Sequence, residues 1–228
     1  MKLILFDIDG TLLDTSEVDG ECYAAALEME LGLTLETGDW GEFTHVTDAG
    51  ILDECFRRVR GRPPGPKEIT TFIERFIDLL GRAHARDPDR FSEIPGAGDI
   101  LRLLSRTSDC RVGLATGGWR ASALFKLTRA GLPYRGLPLS TSNEGMSREA
   151  ILSDCISKAG AKWPETGYSK IVSVGDGAWD VRTARVLGLG FVGVGDEATF
   201  EKLGVRHVVR DFRDPAAFFR LLDSASKA

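Results

Sequence analysis

The stretch from Lys2 to Leu12, KLILFDIDGTL, constrains this chain more than any other. Leu3, Ile4, Leu5 and Phe6 form a continuous apolar run closed by a turn signal, the pattern of a strand buried on both faces of a parallel sheet. Asp7 then falls at the carboxyl end of that strand, where open α/β sheets form their ligand crevice. Asp7 and Asp9 share one small space. Two crowded carboxylates repel, so they are stable only with a cation, a proton or a cationic side chain beside them. A magnesium ion meets that need.

Asp-Gly between apolar residues is also a hairpin signal. The next residues, DTSEVDGECYAAALEMELG, read as a helix with Ser16 near its start and an acidic first turn, so no partner strand arrives. A calcium loop fails as well, because the glycine required at its sixth position would be Leu12.

From about Ser16 to Phe91 the pattern stays helical: Ser16 to Leu31, Thr47 to Val59 closed by Gly61, and Lys67 to Arg86 after PPGP. The spacing predicts a helical insertion hinged near Leu13 to Thr15 and again near Pro88 to Gly98. Its arginines and lysines between Arg57 and Arg90 read mostly as a solvated face. After IPGAG, strands and helices alternate: helix 97–106, strand RVGLAT, helix 122–130, a short strand in LPLST, helix 147–159, strand KIVSVGD, helix 178–187, strand FVGV and helix 214–223. That alternation means a parallel sheet with right-handed crossovers.

A second acidic strand end appears in SVGDGAWD. The run Ile171 to Val174 leads to Asp176, and Asp180 comes one helical turn later, so both carboxylates can reach one site. Two such ends in one parallel sheet form an oxygen-ligand site suited to magnesium. VGLATGGWR adds a different group, a strand ending in Thr116 with Gly117 and Gly118 opening a helix. A hydroxyl and backbone N–H groups placed there suit phosphate oxygens. The cation that such a site still requires is assigned to Arg148 at the start of the helix after LPLST, with Lys158 and Lys170 as fallbacks. GLGFVG at 188 to 193 and GVGDEA at 193 to 198 match dinucleotide-loop spacing. The first comes after a helix, and the second has little chain after it, so both read as helix-end and turn glycines.

A net charge of −5 gives no basic footprint for nucleic acid, and small substrates are expected. The four cysteines are scattered without a Cys-x-x-Cys pair and read as reduced structural thiols rather than zinc ligands. No stretch approaches the length of a membrane span, so the default address is the cytoplasm. Nothing in the sequence sets the oligomeric state.

Taken in order, DIDGT at 7 to 11, Thr116 after an apolar strand, a basic residue at 148 and GDGAWD at 175 to 180 resemble the four motifs of the haloacid dehalogenase superfamily. The helices between the first two motifs resemble the C1 cap of its phosphoglycolate phosphatase-like branch. The resemblance implies an α/β fold, with a Rossmann-like parallel-sheet core of residues 1–14 and 93–228 and an all-helical cap over 15–92. It also implies roles. Asp7 would be the nucleophile that forms an aspartyl-phosphate, and Asp9 the acid for the leaving alcohol and then the base for water. Magnesium would be held by Asp7, the Asp9 backbone carbonyl and Asp176, with Asp180 in support. Thr116 and Gly117 would grip the phosphoryl oxygens while Arg148 counters their charge. Arginine departs from the lysine usual in the third motif, keeping the charge and changing the geometry.

Asp9 tilts the reaction toward phosphoryl transfer, since dehalogenases and phosphonatases of this family lack the second aspartate. The expected function is magnesium-dependent hydrolysis of a small phosphorylated metabolite. A phosphomutase of the same family and a receiver-like phosphoacceptor module are the alternatives. His45, Thr47, Asp48 and Arg57 of the cap, with Trp119 and Arg120, are the expected substrate selectors, because a cap must close over the strand ends and exclude water.

Overall fold

The computed structural model describes residues 1–35, 39–164 and 167–225. Among these, a sheet of six parallel strands has the order β3-β2-β1-β4-β5-β6, where β1 is Lys2–Phe6, β2 Cys110–Ala115, β3 Leu139–Ser140, β4 Lys170–Gly175, β5 Gly190–Val194 and β6 Val208–Val209. Strand β1 sits at the centre and pairs in parallel with β2 on one side and β4 on the other. Its alternating side chains explain the unbroken apolar run. Ile4 and Phe6 enter one core layer with Val112, Leu114, Phe212 and Phe218, while Leu3 and Leu5 enter the opposite layer with Ile151, Cys155 and Phe191.

Crossover helices cover both faces: α4 (Ala97–Arg106), α5 (Arg120–Arg129), α6 (Arg148–Lys162), α7 (Ala178–Leu187), α8 (Glu197–Lys202) and α9 (Pro215–Ser224). The expected strands and helices are all present, with ends shifted by up to three residues. The segments missed were short: α8, β6 and two 3₁₀ turns at Asp39–Glu42 and Pro88–Phe91. Two-residue β6 offers too little periodicity to be seen.

Between β1 and β2 lie α1 (Ser16–Leu31), α2 (Asp48–Arg60) and α3 (Pro66–Arg86). These helices share their own apolar cluster, built around Tyr23, Leu27, Phe56, Phe72, Phe76 and Leu80. The two chain crossings into this helical unit run side by side: Asp14 N–H donates to the Ser92 carbonyl at 3.0 Å and Ile94 N–H to the Leu12 carbonyl at 2.9 Å. Trp119 and Phe125, carried by the sheet layer, pack into the helical unit's cluster. No helix among the described residues is long and apolar enough to cross a membrane, and the four cysteines are buried and unbridged.

The parallel pairing puts the ends of β1, β2 and β4 at one edge, directly beneath the helical unit. Phe6, the last residue of β1, is wholly buried between Phe212 and Phe218, with ring centroids 6.0 Å away in each case. Phe6→Ala is therefore expected to cost about 3–5 kcal/mol of unfolding free energy, read from chemical denaturation midpoints.

Candidate active site

Asp7, Thr116 and Asp176 each come directly after the last residue of a strand, so the parallel register alone brings them to one crevice. Asp7, Asp176 and Asp180 each offer a carboxylate oxygen, and these lie within 4.8 Å of one another. Glycine makes the crowding possible. Gly10 has φ +74°, and a Cβ there would fall 2.0 Å from an Asp176 oxygen. At Gly175 a Cβ would fall 2.5 Å from the Asp180 carboxyl.

Arg148 is the cation of this cluster. From the first turn of α6 its Nη1 donates to Asp180 at 2.8 Å and to Asp7 at 3.3 Å, while its Nε donates to the Val46 carbonyl at 2.9 Å. Burial alone would lower the Arg148 pKa, but the charges of Asp7, Asp180 and Asp176 outweigh it and hold the guanidinium more firmly protonated than usual. The carboxylates move upward. Burial raises Asp7, with Arg148 opposing. Burial, then repulsion from Asp180 and Asp7, puts Asp176 well above the usual carboxylate range. Asp180 is pushed to about 7 by burial against the opposing charge of Arg148. Asp7 Oδ1 is buried and has no hydrogen-bond partner among the described residues. An orphaned carboxylate oxygen among clustered acids is a ligand set that suits a divalent cation.

Thr116 is buried, and its Oγ1 accepts from the Gly118 N–H at 3.1 Å. Gly117 is confined by Arg148 and the Val46 carbonyl, which a Cβ would meet at 2.9 and 3.0 Å. Asp9 is turned differently from Asp7. Its carboxylate accepts from Thr15 Oγ1 at 2.5 Å and from Lys126 Nζ at 2.6 and 2.7 Å, so it stands outside the acidic cluster.

These groups line a cavity of about 150 Å³ whose far wall comes from the helical unit: Asp19, Tyr23, Trp40, Val46, Thr47, Asp48 and Ile51. Besides the Arg148 contact to Val46, three hydrogen bonds of Thr47 and Asp48 pin that wall to the sheet layer. Thr47 Oγ1 donates to the Met146 carbonyl at 2.7 Å, the Asp48 N–H to the Gly117 carbonyl at 2.8 Å, and the Trp119 N–H to Asp48 Oδ2 at 2.7 Å. Burial, reinforced by Asp19, raises the Asp48 pKa well above the usual range.

Of the expected selectors, Thr47 and Asp48 line the cavity and the other four do not. Arg57 is exposed on α2 and bound to Asp53 at 2.6 Å. His45 packs against Gly50 at the start of α2, where a glycine Cβ would meet its own at 2.6 Å. The Trp119 side chain is buried in the helical unit's cluster, and Arg120 is drawn away by Glu144 and the Leu139 carbonyl. Their neighbours, not their sequence positions, took them out. Of the fallback cations, Lys158 binds Asp154 and Glu144, and Lys170 binds the carbonyls of Leu222 and Asp223.

Residues not foreseen are Asp19, Tyr23 and Trp40 on the wall, Trp179 beside Arg148, and Lys126. One signal was available for Lys126. It falls at helical spacing from Ser122, Ala123 and Ala130, on the stripe of α5 that has to be buried. Asp19 is half-buried beside it, and the loss of hydration lifts its pKa to about 6 against the pull of Lys126.

A family model described as haloacid dehalogenase-like hydrolase matches residues 1–188. Similar solved structures include a hydrolase from Pseudomonas syringae, at 20% identity and TM-score 0.74, covering 99% of this chain and 100% of that one. A putative beta-phosphoglucomutase from Bacteroides vulgatus has 16% identity and TM-score 0.70, with 100% and 91% covered. CbbY from Rhodobacter sphaeroides, solved in complex with phosphate, has 19% identity and TM-score 0.66, with 97% and 98% covered. A mutant of CbbY was solved with xylulose-(1,5)bisphosphate. Comparison with curated proteins gives no match.

The raised acids have a consequence for stability. Asp180 keeps its proton to about pH 7 when folded, whereas an unfolded aspartate loses it near 4, so the native state binds more protons in that window. In chelator-treated protein, unfolding free energy is therefore expected to fall as pH rises from about 4 to about 7. Asp180→Asn is expected to flatten that slope in denaturation series at fixed pH.

Proposed function

The chain belongs to the haloacid dehalogenase-like hydrolase family, and from that premise we propose that it is a magnesium-dependent phosphatase acting on a small organic phosphate monoester. The observation that carries this reading is Asp7: one carboxylate oxygen is held by Arg148, and the other is buried without a partner among the described residues, in a cavity of small-molecule size. Asp7 Oδ1 attacks phosphorus as the bond to the leaving oxygen breaks, and Asp9 gives that oxygen its proton. Asp9 then takes a proton from the water that opens the aspartyl-phosphate, releasing inorganic phosphate and restoring Asp7. Thr116 and Gly117 hold phosphoryl oxygens, and Arg148 offsets their charge. Asp7, Asp176 and the Asp9 carbonyl would hold magnesium, with Asp180 in support, and the ion would supply positive charge that offsets the clustered carboxylates and the phosphoryl group.

The cap of residues 15–92 closes the site and selects the leaving group. Its described lining residues offer Asp19 and Asp48 and no cation. A phosphomutase must retain a bisphosphate between its two half-reactions, and none of the described cap residues lining the cavity offers a cation to hold the second phosphate. Hydrolysis of monophosphates is thus favoured over mutase chemistry. A receiver-like module needs the acidic strand ends but not a roofed cavity walled by Tyr23 and Trp40. The reading is that of a cytoplasmic enzyme with no nucleic-acid partner.

Purified protein is expected to release phosphate from short monophosphates, with bisphosphates at least about 10-fold poorer in kcat/KM, and to lose the activity to a chelator and regain it with magnesium. Asp7→Asn is expected to reduce kcat by more than about 10³-fold. Undiminished magnesium-dependent turnover in that variant would remove the proposed nucleophile.

A further inference from the structure

Lys126 has no exposed surface, yet it lies on α5 beside Ala123 and Leu127, where an apolar side chain would pack without the cost of burying a charge. What it touches explains it. Its Nζ spans both oxygens of Asp9, at 2.6 and 2.7 Å, and also donates to Asp19 Oδ1. The lysine comes from the sheet layer and Asp19 from α1 of the helical unit, so the ion triad crosses the boundary between them. Thr15, at the crossing between the two, holds Asp9 Oδ1 from the other side at 2.5 Å.

A carboxylate offers about four lone-pair sites. Thr15 and Lys126 occupy both on Oδ1, and Lys126 occupies one on Oδ2, leaving one Oδ2 site. The Asp9 side chain is 19% exposed and lines the cavity, so that remaining site can meet a substrate oxygen. We propose that Lys126 is a positioning residue for the proton-transferring carboxylate of Asp9, and that Asp19 of the cap holds Lys126 in that position. This rests on the phosphatase reading and extends it. When Asp9 protonates the leaving oxygen it becomes a carboxylate, and the Lys126 ammonium balances that charge until water returns the proton. Asp19, carried by α1 of the cap, thus ties the position of the ammonium to the seating of the cap over the site.

The test compares ethyl phosphate with acetyl phosphate, two short phosphates of similar size. Ethoxide needs a proton in order to leave, whereas acetate does not. In Lys126→Met, kcat for ethyl phosphate is expected to fall at least about 30-fold, and at least about 10-fold more than kcat for acetyl phosphate. Asp19→Asn, which keeps the shape of the anchor, is expected to show the same bias to a smaller degree. The double variant is expected to be no worse than Lys126→Met, because both act through one contact. Equal losses on the two substrates in folded Lys126→Met would make the lysine purely structural and overturn the proposal. If Lys126→Met does not fold, equal losses in Asp19→Asn do the same. Wild-type protein that cleaves neither compound would instead defeat the phosphatase reading, which separates the two failures.

Discussion

Everything at this site depends on charge compensation among buried carboxylates. Asp7, Asp176 and Asp180 converge where water is scarce, and each carries a desolvation penalty that raises its pKa. Arg148 is the side-chain cation that compensates the cluster: it reaches Asp7 and Asp180 together and, through the Val46 carbonyl, the helical unit above. The same arginine thus offsets the acids and ties the roof to the floor. Its planar fork can serve several acceptors at once, which an ammonium in the same place would do with less geometric definition.

The sheet supplies the convergence without any special chemistry. Because β1 lies between β2 and β4 in one parallel set, residues far apart in the chain, such as Asp7, Thr116 and Asp176, end at one edge. The short apolar run KLILF suffices because its alternate side chains fill two separate core layers. Gly10 and Gly175 then keep the loops thin enough for carboxylates to approach the backbone.

Legibility in the sequence depends on how local each determinant is. The acidic strand ends, the Thr116 turn and the long helices are written in runs of adjacent residues, and the folded chain has them where the pattern places them. Arg148 was reachable because the opening of a helix after a strand limits where its side chain can go. The selectors were not legible in this way. Arg57 was lost to Asp53 one turn earlier on the same helix, a pair the spacing itself allows, whereas Trp119 was lost to an apolar cluster and Arg120 to Glu144, competitions that depend on tertiary distance. Asp19 and Trp40 were overlooked for the converse reason: nothing in their immediate context marks them, and only the seating of the helical unit over the strand ends turns them inward.

The two aspartates of DIDGT illustrate how one turn serves two chemistries. Separated by a single residue, Asp7 and Asp9 lie on opposite sides of the same loop, one facing Arg148 and the acidic cluster, the other facing Lys126 and Thr15. Each has its own cation, and the two cations have different attachments. Arg148 belongs to the helix after β3, whereas Lys126 belongs to the helix after β2 and is shared with Asp19 of α1. The environment of Asp9 is coupled to α1, and that of Asp7 is coupled through the Val46 carbonyl to the segment before α2. The roof therefore reaches the two acids through separate contacts.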